Sequence, residues 1–340
     1  MIDFRSDTLT LPTQEILNCI DLNKLGDASR EDIHERGEDR HVTELEDEVS
    51  ARFGFGSSLF FHNGTSANIC MVKAVCGRGS WIIVDENSHI FQSETALFDE
   101  EYYGMAPLTM DTFHHGTFKE KLEHVLSTSN VKLLCLEVPN AFYSGAVIPE
   151  DGLKQLYELC QEHEVHLHID GARIFNAMAN GYMENAFLGN YCDSMMLSFS
   201  KGLGSPMGGI LCGSEASIHL ARQVRKKNGM HMRQGGVIAA AALAALENMG
   251  QLKIDNQMAE KIQKALVVLE GVKVETVKTC INIVQFTSEI YTNDELRECL
   301  AEQGILLNEK RGLLRLYTHK HITESEVQTF INAIATLHSQ

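Results

Sequence analysis

The chain has 340 residues, 44% of them hydrophobic, and its 29 basic against 46 acidic side chains give a formal charge of −17. That length exceeds an ordinary single domain and can bury a large core. The acidity argues against nucleic acid or an anionic membrane as partner, and the one basic run, Arg222 to Lys227, reads as a solvated helix end.

Residues 1–20 read as an arm, 21–250 as a large α/β domain and 251–340 as a small α+β domain. Leu59 to His62 is a short strand, followed by Asn63-Gly64-Thr65-Ser66 and an apolar helix from Ile69 to Val75. Trp81 to Asp85 is a buried strand with His89 just past its end, and Leu133 to Leu136 is another, leading into Glu137. Val165 to Ile169 alternates and delivers Asp170 at a strand end, with Arg173 one turn later. A helix over about 174–187 and a strand over 193–200 then lead to the loop Ser200-Lys201-Gly202-Leu203-Gly204. The alanine-rich stretch 234–248 is a buried connection. Beyond it, helical spacing covers 251–270, strands fall at 272–278, 281–287 and 313–318, and helices at 293–303 and 323–337.

No stretch reaches the roughly 18 apolar residues of a membrane span. The start, Met1-Ile-Asp-Phe-Arg, lacks a signal peptide's apolar core, so the protein is expected in the cytoplasm. Nine scattered cysteines without a Cys-x-x-Cys pair suggest neither a disulfide framework nor a zinc site. The pairs His114-His115 and His166-x-His168 invite a metal reading; packing is favoured for the second, because both histidines share one strand face.

The chemistry rests on three segments. A lysine among glycines can lose part of its hydration and leaves room for a flat ring, which suits imine formation at Lys201. Asp170 precedes it by 31 residues, room for one helix and a returning strand, so both emerge at the carboxyl edge of a parallel sheet. That pair suits pyridoxal 5'-phosphate, the lysine holding the aldehyde and the aspartate the pyridine nitrogen. Gly64, Thr65 and Ser66 at a helix start offer an anion cradle for its phosphate.

Asp3-Phe4-Arg5-Ser6-Asp7-Thr8, Gly37-Glu38-Asp39, Gly64-Thr65 before Asn68, His89 with Glu94, Asp170-Gly171-Ala172-Arg173, Ser200-Lys201-Gly202, Met232-Arg233-Gln234 and Arg315-Leu316 with Thr318-His319 occur in this order nearly end to end. Together they resemble the threonine aldolase family of pyridoxal-phosphate enzymes. The resemblance implies an aspartate-aminotransferase-type fold (fold type I), α/β with a mostly parallel sheet, and a homo-oligomer, dimer or tetramer, with active sites at subunit interfaces. It implies that Arg233 holds a neighbouring chain's phosphate and that Glu137 orients water or the cofactor's phenolic side. His89 is expected to stack on the ring or to serve, directly or through water, as base. Arg315, Arg173 and Ser6 are the expected partners of an amino-acid substrate's carboxylate.

Three positions depart from the family pattern: Arg36 and Ser93 stand where tyrosines are usual, and Asn140 where a histidine is usual. All concern the side that receives the β-substituent. The expectation is therefore a carbon–carbon lyase for a β-hydroxy-L-amino acid with a rebuilt pocket, suited by Arg36 to a polar or acidic side chain. Racemisation, β-elimination and a catalytically silent relative are the alternatives.

Overall fold

The computed structural model describes residues 1–34, 36–112, 118–275 and 281–339. Short, largely buried apolar runs in which leucine is the commonest residue build a seven-stranded sheet. Its strands are Ser57–Phe61 (β1), Trp81–Val84 (β2), Ala106–Thr109 (β3), Val131–Glu137 (β4), His166–Gly171 (β5), Ser194–Ser198 (β6) and Gly209–Gly213 (β7). Their order is β1-β7-β6-β5-β4-β2-β3. Strands β2 to β6 are mutually parallel, and β7 is antiparallel to both of its neighbours, β6 and β1. Two reversals cancel, so β1 points the same way as the parallel set and its carboxyl end reaches the same edge. The chain leaves β2 toward β3 on one side and leaves the adjacent β4 toward β5 on the other, which opens a crevice at that edge.

A second, antiparallel sheet is built from Val272–Val274 (β8), Ile283–Ser288 (β9), Asn308–Lys310 (β10) and Leu313–Tyr317 (β11), in the order β10-β11-β9-β8. The helices Asn293–Glu302 and Glu324–His338 each begin with a capping box, Thr292 with Glu295 and Thr323 with Glu326. The N-terminal arm joins this unit: Ile2–Asp3 pairs in parallel with Ile305–Leu306, and Ile2 and Phe4 are buried in its core. Of the strand expected over 272–278, the part to Val274 is observed; residues 276–280, like His114 and His115, lie outside the described residues.

Two expectations need correction. The helix placed over 174–187 is two, Ile174–Ala179 and Asn185–Asn190. Gly181 at φ +72° lets the Gly181 and Tyr182 amides bond back to the Met178 and Ala177 carbonyls, which ends the first helix. The continuous helical run Gly236–Val267 is long and apolar enough, by length and composition, to cross a membrane. Its Ala239, Ala241, Ala242 and Ala245 instead belong to the main core, and the helix Gly236–Ala245 lies against the Arg40–Phe53 helix.

Asp39 fixes that packing. Its Oδ1 accepts from Val42 N at 3.3 Å and its Oδ2 from Gly236 N at 2.9 Å, so one buried carboxylate serves the starts of two helices. Asp39→Ala leaves both amides without an acceptor and should lower stability by about 2 kcal/mol. Urea unfolding checks this; an unchanged midpoint would show that neither helix start depends on Asp39.

Candidate active site

One cavity of about 220 Å³ opens at the shared carboxyl edge. His89 follows β2, Glu137 ends β4, Arg173 follows β5 and Lys201 follows β6, and all four line it. The second sheet closes the cavity with Asn308, Lys310, Arg315 and Tyr317, and the arm closes it with Arg5, Ser6 and Thr8.

Burial, aided by the Arg173 guanidinium, lowers the Lys201 ammonium below its ordinary pKa, against the opposing pull of Asp170, Asp7 and Glu137. Arg173 is itself committed: its Nε and Nη2 each donate to one oxygen of buried Asp7 at 2.7 Å, and its guanidinium lies 4.9 Å from the centre of the Tyr317 ring. Burial works to raise the Asp7 carboxyl, but Arg173 outweighs it and the pKa is lowered.

Asp170 is 1% exposed and held at both oxygens, Oδ1 by the Ala172 amide at 3.1 Å and Oδ2 by Asn68 Nδ2 at 3.0 Å. The same Asn68 Nδ2 donates to Glu94 Oε1 at 3.0 Å, and Glu94 Oε1 lies 3.1 Å from His89 Nδ1. Burial raises the Glu94 carboxyl, and the hydrogen bond that His89 donates to Glu94 raises the imidazole. Glu137 is raised by burial and accepts from the His89 and Ala141 amides at 2.6 and 2.9 Å. His89, Glu94 and Asp170 have ligand atoms within 4.8 Å of one another, yet Asn68 already supplies a donor to both carboxylates.

Other expected site residues divide. Ser6, Ser93 and Arg315 line the cavity. Gly64, Thr65 and Ser66 open the Gly64–Val75 helix after β1, at the same edge. There Asn63 Oδ1 accepts from the Ser66 amide at 2.8 Å and the Ser66 hydroxyl lies 3.1 Å from His62 Nε2, while the Gly64 and Thr65 amides have no carbonyl within the helix. Asn140 is buried behind the wall, where its Oδ1 caps the Ala141–Tyr143 turn through Phe142 N at 2.8 Å, and Phe142 lines the cavity in its place. Arg36 does not reach the cavity within one chain; its two terminal nitrogens each hold one Asp47 oxygen at 2.6 Å. Arg233 is likewise elsewhere, two-thirds exposed and paired with Asp27 at 2.6 Å.

The residue reading did not single out Phe142, Tyr317 or Lys310, nor Asp7 as the partner of Arg173. Each comes from a segment distant in sequence. The alternation of Leu313, Arg315 and Tyr317 along one strand does put Tyr317 on the face of Arg315, but it does not show that this face borders the cavity.

Comparison with known proteins identifies the family. Residues 3–289 match the β-eliminating lyase family. The chain is 33% identical over 342 residues to low-specificity L-threonine aldolase 1 of Arabidopsis thaliana, covering 96% of this chain and 93% of that one. It is 32% identical over 276 residues to alanine racemase TOXG of Cochliobolus carbonum, covering 77% and 67%. In fold it superposes on Leishmania major threonine aldolase with a TM-score of 0.83 at 18% identity, covering 99% of both chains. The chain therefore belongs to the β-eliminating lyase family and is a pyridoxal-phosphate-dependent lyase of the threonine-aldolase-like kind.

Proposed function

We propose that the chain cleaves the Cα–Cβ bond of a β-hydroxy-L-amino acid to glycine and an aldehyde, with pyridoxal 5'-phosphate at the sheet edge. The observation that carries this reading is the convergence of Lys201, Asp170 and His89 from three strand ends onto one edge. The residues suit that cofactor. A Cβ at Gly209 would lie 2.6 Å from Gly64 N, and one at Gly64 would lie 2.7 Å from Met196 Sδ, so bare backbone is needed where the phosphate cradle packs on the sheet. Bound there, the cofactor withdraws the electrons of the bond broken at Cα.

The chain's own groups do the rest. A lowered pKa leaves more of Lys201 as free amine. Asp170, fixed at both oxygens, is the anion for a protonated ring nitrogen. Arg315 and Ser6 hold the substrate carboxylate, and Arg173, with two nitrogens on Asp7, keeps the remaining one for it. Glu94 occupies His89 Nδ1, so Nε2 is the nitrogen that takes the β-hydroxyl proton, directly or through a water. The eight described cysteines are all free thiols, six of them buried, which supports a reducing compartment, and we place the enzyme in the cytosol.

The test is to incubate the holoenzyme with a panel of β-hydroxy and plain amino acids and identify products by mass; glycine with an aldehyde is expected. D-amino acids or an α-keto acid with ammonia in their place would overturn the aldol reading in favour of a racemase or an eliminating lyase. Lys201→Ala should lose the visible band of the lysine-bound cofactor and all turnover while remaining folded by circular dichroism. A wild type that never develops that band with added cofactor would sink the assignment.

Proton abstraction needs neutral His89, whose pKa stands above its ordinary 6.5, so kcat/KM should rise with pH through an acid limb above that value. Glu94→Gln removes the interaction that raises His89 and should move this limb to lower pH. An unmoved limb would show that another group titrates.

We also propose a homo-oligomer, dimer or tetramer, in which Arg233 leaves Asp27 to hold the neighbour's phosphate. Arg233→Ala should weaken cofactor binding by roughly tenfold to a hundredfold, the range of one charge-assisted hydrogen bond. A monomer with full cofactor occupancy in light scattering would contradict it.

A further inference from the structure

Strands β10 and β11 pair with Asn308 opposite Arg315 and Lys310 opposite Leu313. Residues two apart share a face, so Asn308, Lys310, Arg315 and Tyr317 present to one side, and all four line the cavity. Lys310 and Arg315 are diagonal neighbours across this pair, roughly 7–8 Å apart at the backbone, within reach of two long side chains. Their heads converge on Phe142: Arg315 Cζ lies 5.4 Å and Lys310 Nζ 5.8 Å from that ring's centre.

The charges around the cavity are not balanced. Arg5 is paired with Asp3, Arg173 with Asp7 and His89 with Glu94. Lys201 is the residue for the cofactor. Among the described residues Arg315 and Lys310 have no carboxylate partner, and Arg315 Nε is buried without any acceptor. Among the described residues Glu137 is the one carboxylate lining the cavity, and it is occupied by two backbone amides. Exposed Arg311, 5.6 Å from the Phe142 ring centre, adds positive charge outside the lining. A buried cation without a counter-charge is costly, so Arg315 calls for an anionic group from the ligand, and partly buried Lys310, in the same cavity and likewise without a carboxylate partner, offers a cation to a second one. An amino acid whose β-substituent is a methyl group supplies one.

We propose, resting on the aldolase reading above, that the substrate carries a second carboxylate on its β-carbon: a four-carbon β-hydroxy dicarboxylic amino acid, 3-hydroxyaspartate in its simplest form. Arg315 holds the α-carboxylate and Lys310 the distal one. The Cα–Cβ bond breaks, the hydroxyl proton leaves to His89, and the Cβ–O bond becomes the carbonyl of glyoxylate. The electron pair left at Cα takes up a proton to give glycine, so the atoms balance without an oxidant, reductant or co-reactant. Within one chain the acidic preference expected from Arg36 has its source in Lys310, which stands in the cavity while Arg36 pairs with Asp47.

The test measures kcat/KM of the holoenzyme for L-threo- and L-erythro-3-hydroxyaspartate, following glyoxylate, against L-threonine and L-allo-threonine, following acetaldehyde. Wild type should favour the dicarboxylate at least tenfold, and Lys310→Met should lower that ratio by about tenfold or more, with Lys310→Arg retaining most of it. A second readout needs no turnover: L-aspartate should perturb the cofactor band at lower concentration than L-alanine in wild type, and Lys310→Met should erase the difference. A wild type that prefers threonine, or a Lys310→Met variant that keeps both the ratio and the aspartate preference, overturns the proposal. In either case cleavage of threonine with an intact cofactor band leaves the aldolase reading standing, whereas absence of the band removes both.

Discussion

The bidentate pair between Asp7 and Arg173 ties the active site together. Asp7 comes from the N-terminal arm, Arg173 follows β5 of the large sheet, and the second sheet's unit contributes Asn282, which donates to Asp7 at 3.2 Å, and Tyr317, whose ring lies beside the guanidinium. Three parts of the chain meet on one buried charge pair. Such a pair adds little net stability, since desolvation of two ions offsets their attraction, but removing one partner leaves an uncompensated buried charge at a cost of roughly 3–5 kcal/mol. Its value here is positional: the arm and the second sheet cannot separate from the large sheet's edge without exposing or stranding an ion. That constraint brings Ser6, Arg315 and Lys310 opposite Lys201 and so defines the cavity.

A second constraint acts at the cavity floor, where Glu137 and, below it, Asp170 and Glu94 are buried close together. Like charges so placed oppose one another's ionisation, which is part of why the Glu94 and Glu137 carboxyls stand high. Asn68 relieves the crowding by donating to both Asp170 and Glu94. With both N–H bonds directed at carboxylates, its Oδ1 is left as acceptor for His168 Nε2 at 3.0 Å. His168 Nδ1 must then accept from the Ser194 hydroxyl at 2.8 Å, whose oxygen in turn accepts from His166 Nε2 at 2.7 Å. Burial, reinforced by the neighbouring His166, drives the His168 pKa down to about 3, so its ring is neutral and this donor order has one direction. A row of hydrogen bonds behind β5 thus fixes which way the Asn68 amide faces, and through it holds Asp170 as an acceptor.

The backbone does comparable work at the phosphate side. β7 runs against its neighbours and brings Gly209 against the turn at Asn63 and Gly64, a contact closer than any side chain allows. The reversal also aligns β1 with the parallel strands, so the helix after β1 starts at the edge where the strands carrying Asp170 and Lys201 end.

Much of this was legible in the chain. Alternating and continuous apolar runs marked the main strands of the large sheet, the spacing of Asp170 and Lys201 put both at one edge, and the small residues around Lys201 pointed to a flat cofactor. These are local properties: a strand's period, a turn's glycine and a crossover's length all follow from steric rules along a few dozen residues. Which side chains face one another across the cavity is not local. Arg173 gives two of its nitrogens to a residue 166 positions earlier, Arg36 within one chain pairs with a carboxylate outside the cavity, and Asn140 caps a turn. Lys310, silent in the sequence as one more lysine in a polar turn, enters the cavity because the register of β10 on β11 sets it on the face of Arg315. Composition and period determined the elements and the kind of cofactor; the pairing of charges was decided only when tertiary packing chose which ions lost their water together, since a buried charge takes its role from the partner that packing leaves it.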